Sequence, residues 1–113
     1  MERFVEQTLL YDFYGELLTE HQQKIYEEAV FDDFSVSEIA RDEGISRQGI
    51  HDLIKRCNKI LDDYEARLHL VERFLKIRED VKQIDALTKS PDTDTKGRME
   101  QISAIASKIL EEL

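Results

Sequence analysis

Ser46, Arg47, Gln48, His51, Lys55, Arg56 and Lys59 fall within one short basic stretch, and only Asp52 offsets them. Arginine can pair with two acceptors of guanine and glutamine with adenine, so Arg47 and Gln48 carry the side chains that read base edges. Lys55, Arg56 and Lys59 suit phosphate oxygens, and Ser46 at a helix start suits a phosphate met by backbone N–H groups. No comparable set supports catalysis. Cys57 is the single cysteine and lies on an apolar helical seam, whereas reactive thiols need exposure and a positive setting. His21, His51 and His69 stand far apart without metal-ligand spacing. Asp32-Asp33 and Asp62-Asp63 read as solvated faces in a chain this charged, and no glycine-rich phosphate loop is present. The chain is therefore expected to bind and not to catalyse, with no cofactor and no metal.

The basic stretch needs a scaffold, and the local sequence supplies one. Ser35 with Glu38 three residues on forms a capping-box pattern at the start of a short helix, Val36–Glu43. Gly44 supplies the left-handed residue that ends it, Ile45 turns back on it, and Ser46 caps the next helix. Two capped helices joined by so short a turn make a helix-turn-helix over residues 35–61. Ile39 and Ala40 face its core, and Ile45, Ile50 and Ile54 fill the angle between the helices. Gly49 departs from the pattern, since glycine near a helix start costs about 1 kcal/mol against alanine.

The flanking sequence is helical by periodicity. Phe4, Thr8, Tyr11, Tyr14 and Leu18 repeat at helical spacing in a first helix from Glu2 to Leu17. Thr19 and Gln22 predict a capping box for a second helix that ends near Phe31 and buries Ile25 and Ala29. Beyond Ser46, the residues Ile50, Ile54, Cys57, Leu61, Tyr64, Leu68, Val71 and Leu75 alternate spacings of four and three. With no Gly or Pro before Pro91, that helix extends to Leu87 if it is continuous, a length of about 60 Å. Residues 88–98 read as a loop, and Met99, Ile102, Ile105, Ala106, Ile109 and Leu113 mark a final helix. The heptad seam either packs on that last helix or pairs with a second copy. Its length favours a homodimer.

Composition agrees with this reading. Of 113 residues, 36% are charged, while four glycines and one proline leave little turn chemistry. The lone cysteine suits a reducing cytoplasm, and no apolar run is long enough for a membrane span or a signal peptide. The net charge of −9 is uneven, with twelve acids and three bases in residues 1–45 but a net +3 in residues 46–61. An acidic body should repel a duplex, so affinity for nucleic acid is expected to be modest and to fall with salt.

Two resemblances follow from these residues. Ser35, Glu38-Ile39-Ala40, Gly44-Ile45-Ser46 and the basic Lys55–Lys59 segment resemble sigma-factor region four, which implies a DNA-recognition helix starting at Arg47. Over nearly the whole chain, the opening Glu2–Tyr14, the segment Asp42–Asp52, Arg67–Leu70 and the isoleucine-rich last helix resemble the YlxM-like family of small bacterial proteins. That resemblance implies an all-α helix-turn-helix protein associated with the signal recognition particle pathway. The expected architecture is an all-α tri-helical core, residues 1–61, followed by a helical extension or dimerisation arm, residues 62–113. The expected function is DNA binding or regulation linked to that pathway. The alternative is a protein-interaction adaptor or RNA-binding factor acting on the particle's protein or its receptor.

Overall fold

The computed structural model describes residues 2–91 and 94–113. Among them the regular elements are all helical: α1 (Arg3–Tyr14), α2 (Glu20–Tyr26), α3 (Val36–Glu43), α4 (Arg47–Leu68), α5 (Leu70–Thr88) and α6 (Thr95–Glu112). A 3-10 turn, Gly15–Leu17, follows α1, and a π-helical turn, Glu27–Phe31, continues α2. The fold is an all-α helix-turn-helix protein, as expected. The chain forms two compact units, one ending at His69 and the other spanning Leu70–Leu113. The division falls at His69 instead of after Leu61 because Leu61 lies in the interior of α4 and is fully buried.

In the first unit α1, α2 and α3 each pack against α4. Ile25, Ile39, Ala40 and Ile50 form the centre of the helix-turn-helix, with Ala29, Val36, Leu53 and Ile54 packed around them. Leu10, Tyr14 and Leu18 of the first helical segment are buried, as are Cys57 and Leu61 of α4. Tyrosines line this interior and bring their hydroxyls to partners, as buried phenols must. Tyr26 donates to Asn58 Oδ1 at 2.6 Å, and Tyr14 donates to Glu65 Oε1 at 2.5 Å. The Tyr11 and Tyr26 rings stack at 5.4 Å. Burial pushes the Tyr26 phenol up to about 12, because the charged form loses its hydration.

The caps explain where the helices begin. Thr19 and Gln22 exchange both bonds of a capping box, at 3.1 and 2.9 Å. Ser35 accepts from the backbone N–H of Glu38 at 3.1 Å, but the return bond expected from Glu38 is not formed. Gly44 ends α3 with φ of 70°, a conformation that glycine adopts without steric penalty.

Several expectations are corrected. The long helix is not continuous to Leu87: α4 ends at Leu68, and His69 takes a left-handed conformation with φ of 55°. The heptad seam breaks there too, for Leu68 is 46% exposed. Ile45 is exposed and only its backbone turns back, its N–H reaching Ala40 O at 3.1 Å. Phe4 is likewise exposed at the outer end of its stripe, set edge-on to Phe31.

In the second unit α5 and α6 pair as a hairpin. The loop expected over 88–98 is shorter, because Asp94 caps α6 by accepting from the Gly97 N–H at 2.9 Å and so starts the helix at Thr95. Asp92 and Thr93, part of that expected loop, lie outside the described residues. Ile102, Ile105, Ala106 and Ile109 are half-buried, whereas Met99 and Leu113 of the expected stripe are exposed. Lys76 pairs with Glu112, and one turn further along α5 Asp80 pairs with Lys108 at 3.1 Å. Residues four apart on α5 thus meet residues four apart on α6 in reverse order, which fixes the antiparallel register. Asp80 is buried, and its Oδ2 has no hydrogen-bond partner.

Candidate nucleic-acid interface

At about 100° per residue, Arg47, His51, Lys55, Gln48 and Lys59 span about 120° of the α4 surface, with Arg56 about 60° beyond. Ile50, Cys57 and Leu61 occupy the opposite arc and are fully buried. The apolar core therefore orients the basic arc outward, and all six of these polar side chains are exposed. Ser46, also exposed, accepts from the Gly49 N–H at 3.0 Å.

Ser46, Arg47, Gln48 and His51 come together with Ser35, Val36 and Ser37 around an open cleft of about 540 Å³. Two capped helix starts, those of α3 and α4, open on this one depression. Their N-terminal N–H groups and partial positive charge favour an anionic ligand there. Lys55, Arg56 and Lys59 do not line the cleft and continue along α4. Among the described residues Arg47, Lys55 and Arg56 have no ion-pair partner, while Lys59 pairs with Asp63 at 3.2 Å. Gln48 donates to Asp52 Oδ1 at 2.9 Å, which holds its amide and occupies the one acid of the basic stretch.

The local sequence marks Ser35 only as a cap, and nothing in it assigns Val36 and Ser37 to the site. They reach the cleft through the crossing of α3 and α4, which is a tertiary fact, although the paired serine caps hinted at it. The site also gives Gly49 a reason. A Cβ there would stand 3.3 Å from Ser46 Oγ and 3.6 Å from Ile45 Cδ1, crowding the capping hydroxyl. The turn is braced from behind, where Glu43 accepts from His21 Nε2 at 2.6 Å and pairs with Lys24 at 3.5 Å. The hydrogen bond from His21, with Lys24 beside it, holds the Glu43 carboxyl below its usual range.

A second surface has the opposite character. Thr8, Tyr11, Asp12, Glu27, Phe31 and Asp32 surround a depression of about 360 Å³ that shares no residue with the cleft. Tyr11 donates to Glu27 Oε1 at 2.8 Å, and its burial together with that carboxylate raises the phenol's pKa. Cys57, on the inward side of α4, is buried, which pushes its thiol up and away from thiolate chemistry. No helix among the described residues is long and apolar enough to cross a membrane.

Residues 1–102 match the family model UPF0122, described as "Putative helix-turn-helix protein, YlxM / p13 like". A UPF0122 protein of Caldanaerobacter subterraneus subsp. tengcongensis is 42% identical over 81 residues, 72% of this chain and 69% of that one. A UPF0122 protein of Acetivibrio thermocellus is 44% identical over 92 residues, 75% of this chain and 79% of that one. A UPF0122 protein of Clostridium acetobutylicum is 46% identical over 83 residues, 74% of this chain and 71% of that one.

Proposed function

Because the chain belongs to the UPF0122 family of helix-turn-helix proteins, we propose that it is a nucleic-acid-binding regulator that works through the α3–α4 cleft and the basic arc of α4. The observation that carries this reading is the cleft itself, where two serine-capped helix starts meet beside an unpaired Arg47. In this reading the start of α4 enters the major groove of DNA, with Arg47, Gln48 and His51 at base edges. Ser46, Lys55, Arg56 and Lys59 hold phosphates and set the register. The protein acts in the cytoplasm, binds without cofactor and performs no reaction. A second copy of the chain places two such helices on one ligand and doubles the basic sites, offsetting the acidic body.

Fluorescence anisotropy against a labelled mixed-sequence duplex tests this. With about three phosphates neutralised, the slope of log affinity against log salt should be near −2.7. The double substitution Arg47→Ala and Lys55→Ala should weaken binding by about tenfold or more and flatten the slope by about 1 or more. An unchanged affinity in the double variant would overturn the assignment of this arc. Preference for a structured RNA over the duplex would move the same site to RNA.

A second reading rests on the acidic depression around Tyr11, Asp12, Glu27 and Asp32. There the chain is an adaptor whose partner offers a basic surface, and the resemblance to YlxM-like proteins points to a signal recognition particle protein or its receptor. Charge reversal at Glu27 and Asp32 separates the two readings. It should abolish capture of such a partner and leave or even strengthen binding to nucleic acid.

A further inference from the structure

The heptad stripe cannot supply a seam for a second copy, since Ile50, Cys57 and Leu61 are already fully buried. A different face remains uncovered. Helix α5 turns Lys76 and Asp80 toward α6, where Glu112 and Lys108 meet them. Another face of the same helix carries Ile77, Arg78, Val81, Lys82 and Asp85, with Phe74 at one end, around a shallow groove of about 570 Å³. Residues of α5 alone line it, and Val81 at its middle is 51% exposed.

The charges of this face are arranged to complement themselves. Arg78 and Asp85 are one heptad apart, about 10.5 Å along the axis, with Val81 between them. Among the described residues Arg78 has no ion-pair partner. The Asp85 carboxylate is held, among the described residues, only by an exposed pair with Lys89 at 3.0 Å, and exchanging such a pair costs little. Reversing the helix turns the order Arg, Val, Asp into Asp, Val, Arg. An antiparallel copy therefore sets each Arg78 beside the partner's Asp85, whereas a parallel copy sets like charges together.

We propose that a second copy of this chain docks on this face, α5 against α5, antiparallel about a two-fold axis between Val81 and Lys82. The two Val81 side chains meet near the axis, Ile77 extends the apolar strip, and two Arg78–Asp85 pairs close its ends. Lys82 lays its aliphatic stem along the strip and keeps its ammonium in water. The contact is isologous, as a two-fold interface requires. This inference rests on the second-copy part of the function proposed above and names the surface it uses.

Sedimentation equilibrium on the full chain tests it, with circular dichroism to show that each variant folds. The wild type should dimerise, and V81E, R78D and D85R should each weaken the dimer by about tenfold or more. The double swap R78D/D85R should recover the dissociation constant to within about threefold, because it restores both opposite-charge pairs with their signs exchanged. A dimer that persists unchanged in V81E and both single reversals overturns this interface while leaving the second-copy reading intact. Weakening in the singles without recovery in the double overturns the Arg78–Asp85 pairing. A wild type that stays monomeric at every attainable concentration overturns both the interface and the second-copy reading, and nucleic-acid binding by that monomer would stand apart from either.

Discussion

The two units of this molecule are held together by different physics. Among the described residues, ten of the eleven buried hydrophobic side chains belong to the first unit, and Val71 is the one in the second. The first unit has an interior in which three helices converge on α4, so apolar groups meet from several directions. The second is a hairpin, and two helices can shield each other on one side only. Apart from Val71, its apolar side chains such as Ile102, Ile105 and Ile109 are only half-buried, and the other buried residue is a carboxylate, Asp80. A segment of this size buries too small a fraction of its surface to depend on apolar contact alone. Ion pairs in the hairpin do what shape does in the core, which is to choose one register among several apolar alternatives.

The sharpest way to break that contrast is to empty one site in each region. Ile50→Ala should cost about 2–5 kcal/mol, since Ile50 is fully enclosed, while Ile105→Ala in the half-exposed hairpin should cost about 1–2 kcal/mol. Urea unfolding of both variants measures the difference, and equal losses would mean that the hairpin is as well packed as the core. Lys108→Ala comes next. It strips from a buried carboxylate its only hydrogen bond among the described residues, and because Lys108 itself is half in water the loss should be about 1–3 kcal/mol. Replacing both partners, Asp80→Leu with Lys108→Met, should recover most of that loss, because no buried charge is then left unpaired. Failure to recover would show that the pair does more than set register.

The smallest effect at neutral pH becomes visible only in alkali. The folded state holds the Tyr26 phenol up near 12, above its ordinary value of 10. A raised folded value means that the neutral form is favoured by folding. The associated stability is intact below pH 10 and is lost as pH rises from 10 through 12. All four tyrosines lie in the first unit, so hydrogen exchange above pH 10 should show that unit loosening before the hairpin. Tyr26→Phe should lessen the loss with pH at the expense of about 1 kcal/mol for the missing bond to Asn58.

What could be read from the chain was local. Caps at Thr19, Ser35 and Ser46 and the stop at Gly44 depend on a few adjacent residues, and the structure has all of them. The break at His69 was hidden because the apolar repeat runs across it and no glycine or proline announces it. A histidine can take the left-handed conformation, but only tertiary context makes it do so. Nothing local to Asp80 marks it as buried, since its pairing with Lys108 depends on a residue 28 positions away on another helix. The basic arc was legible for a similar reason to the caps: helical spacing assigns its direction once the apolar arc is known. Its neighbours Ser35, Val36 and Ser37 were not, because they arrive from another helix.

Cys57 gives the protein a clock of its own. It is the single thiol, it is enclosed in the first unit, and its raised pKa keeps it protonated and unreactive while that unit is closed. A thiol reagent can modify it only during moments of opening. The ratio of its labelling rate to that of a free cysteine thus gives the fraction of time spent open. Followed with and without a nucleic acid or a protein partner, that rate reports ligand binding as a slowing of the clock, with no residue to change.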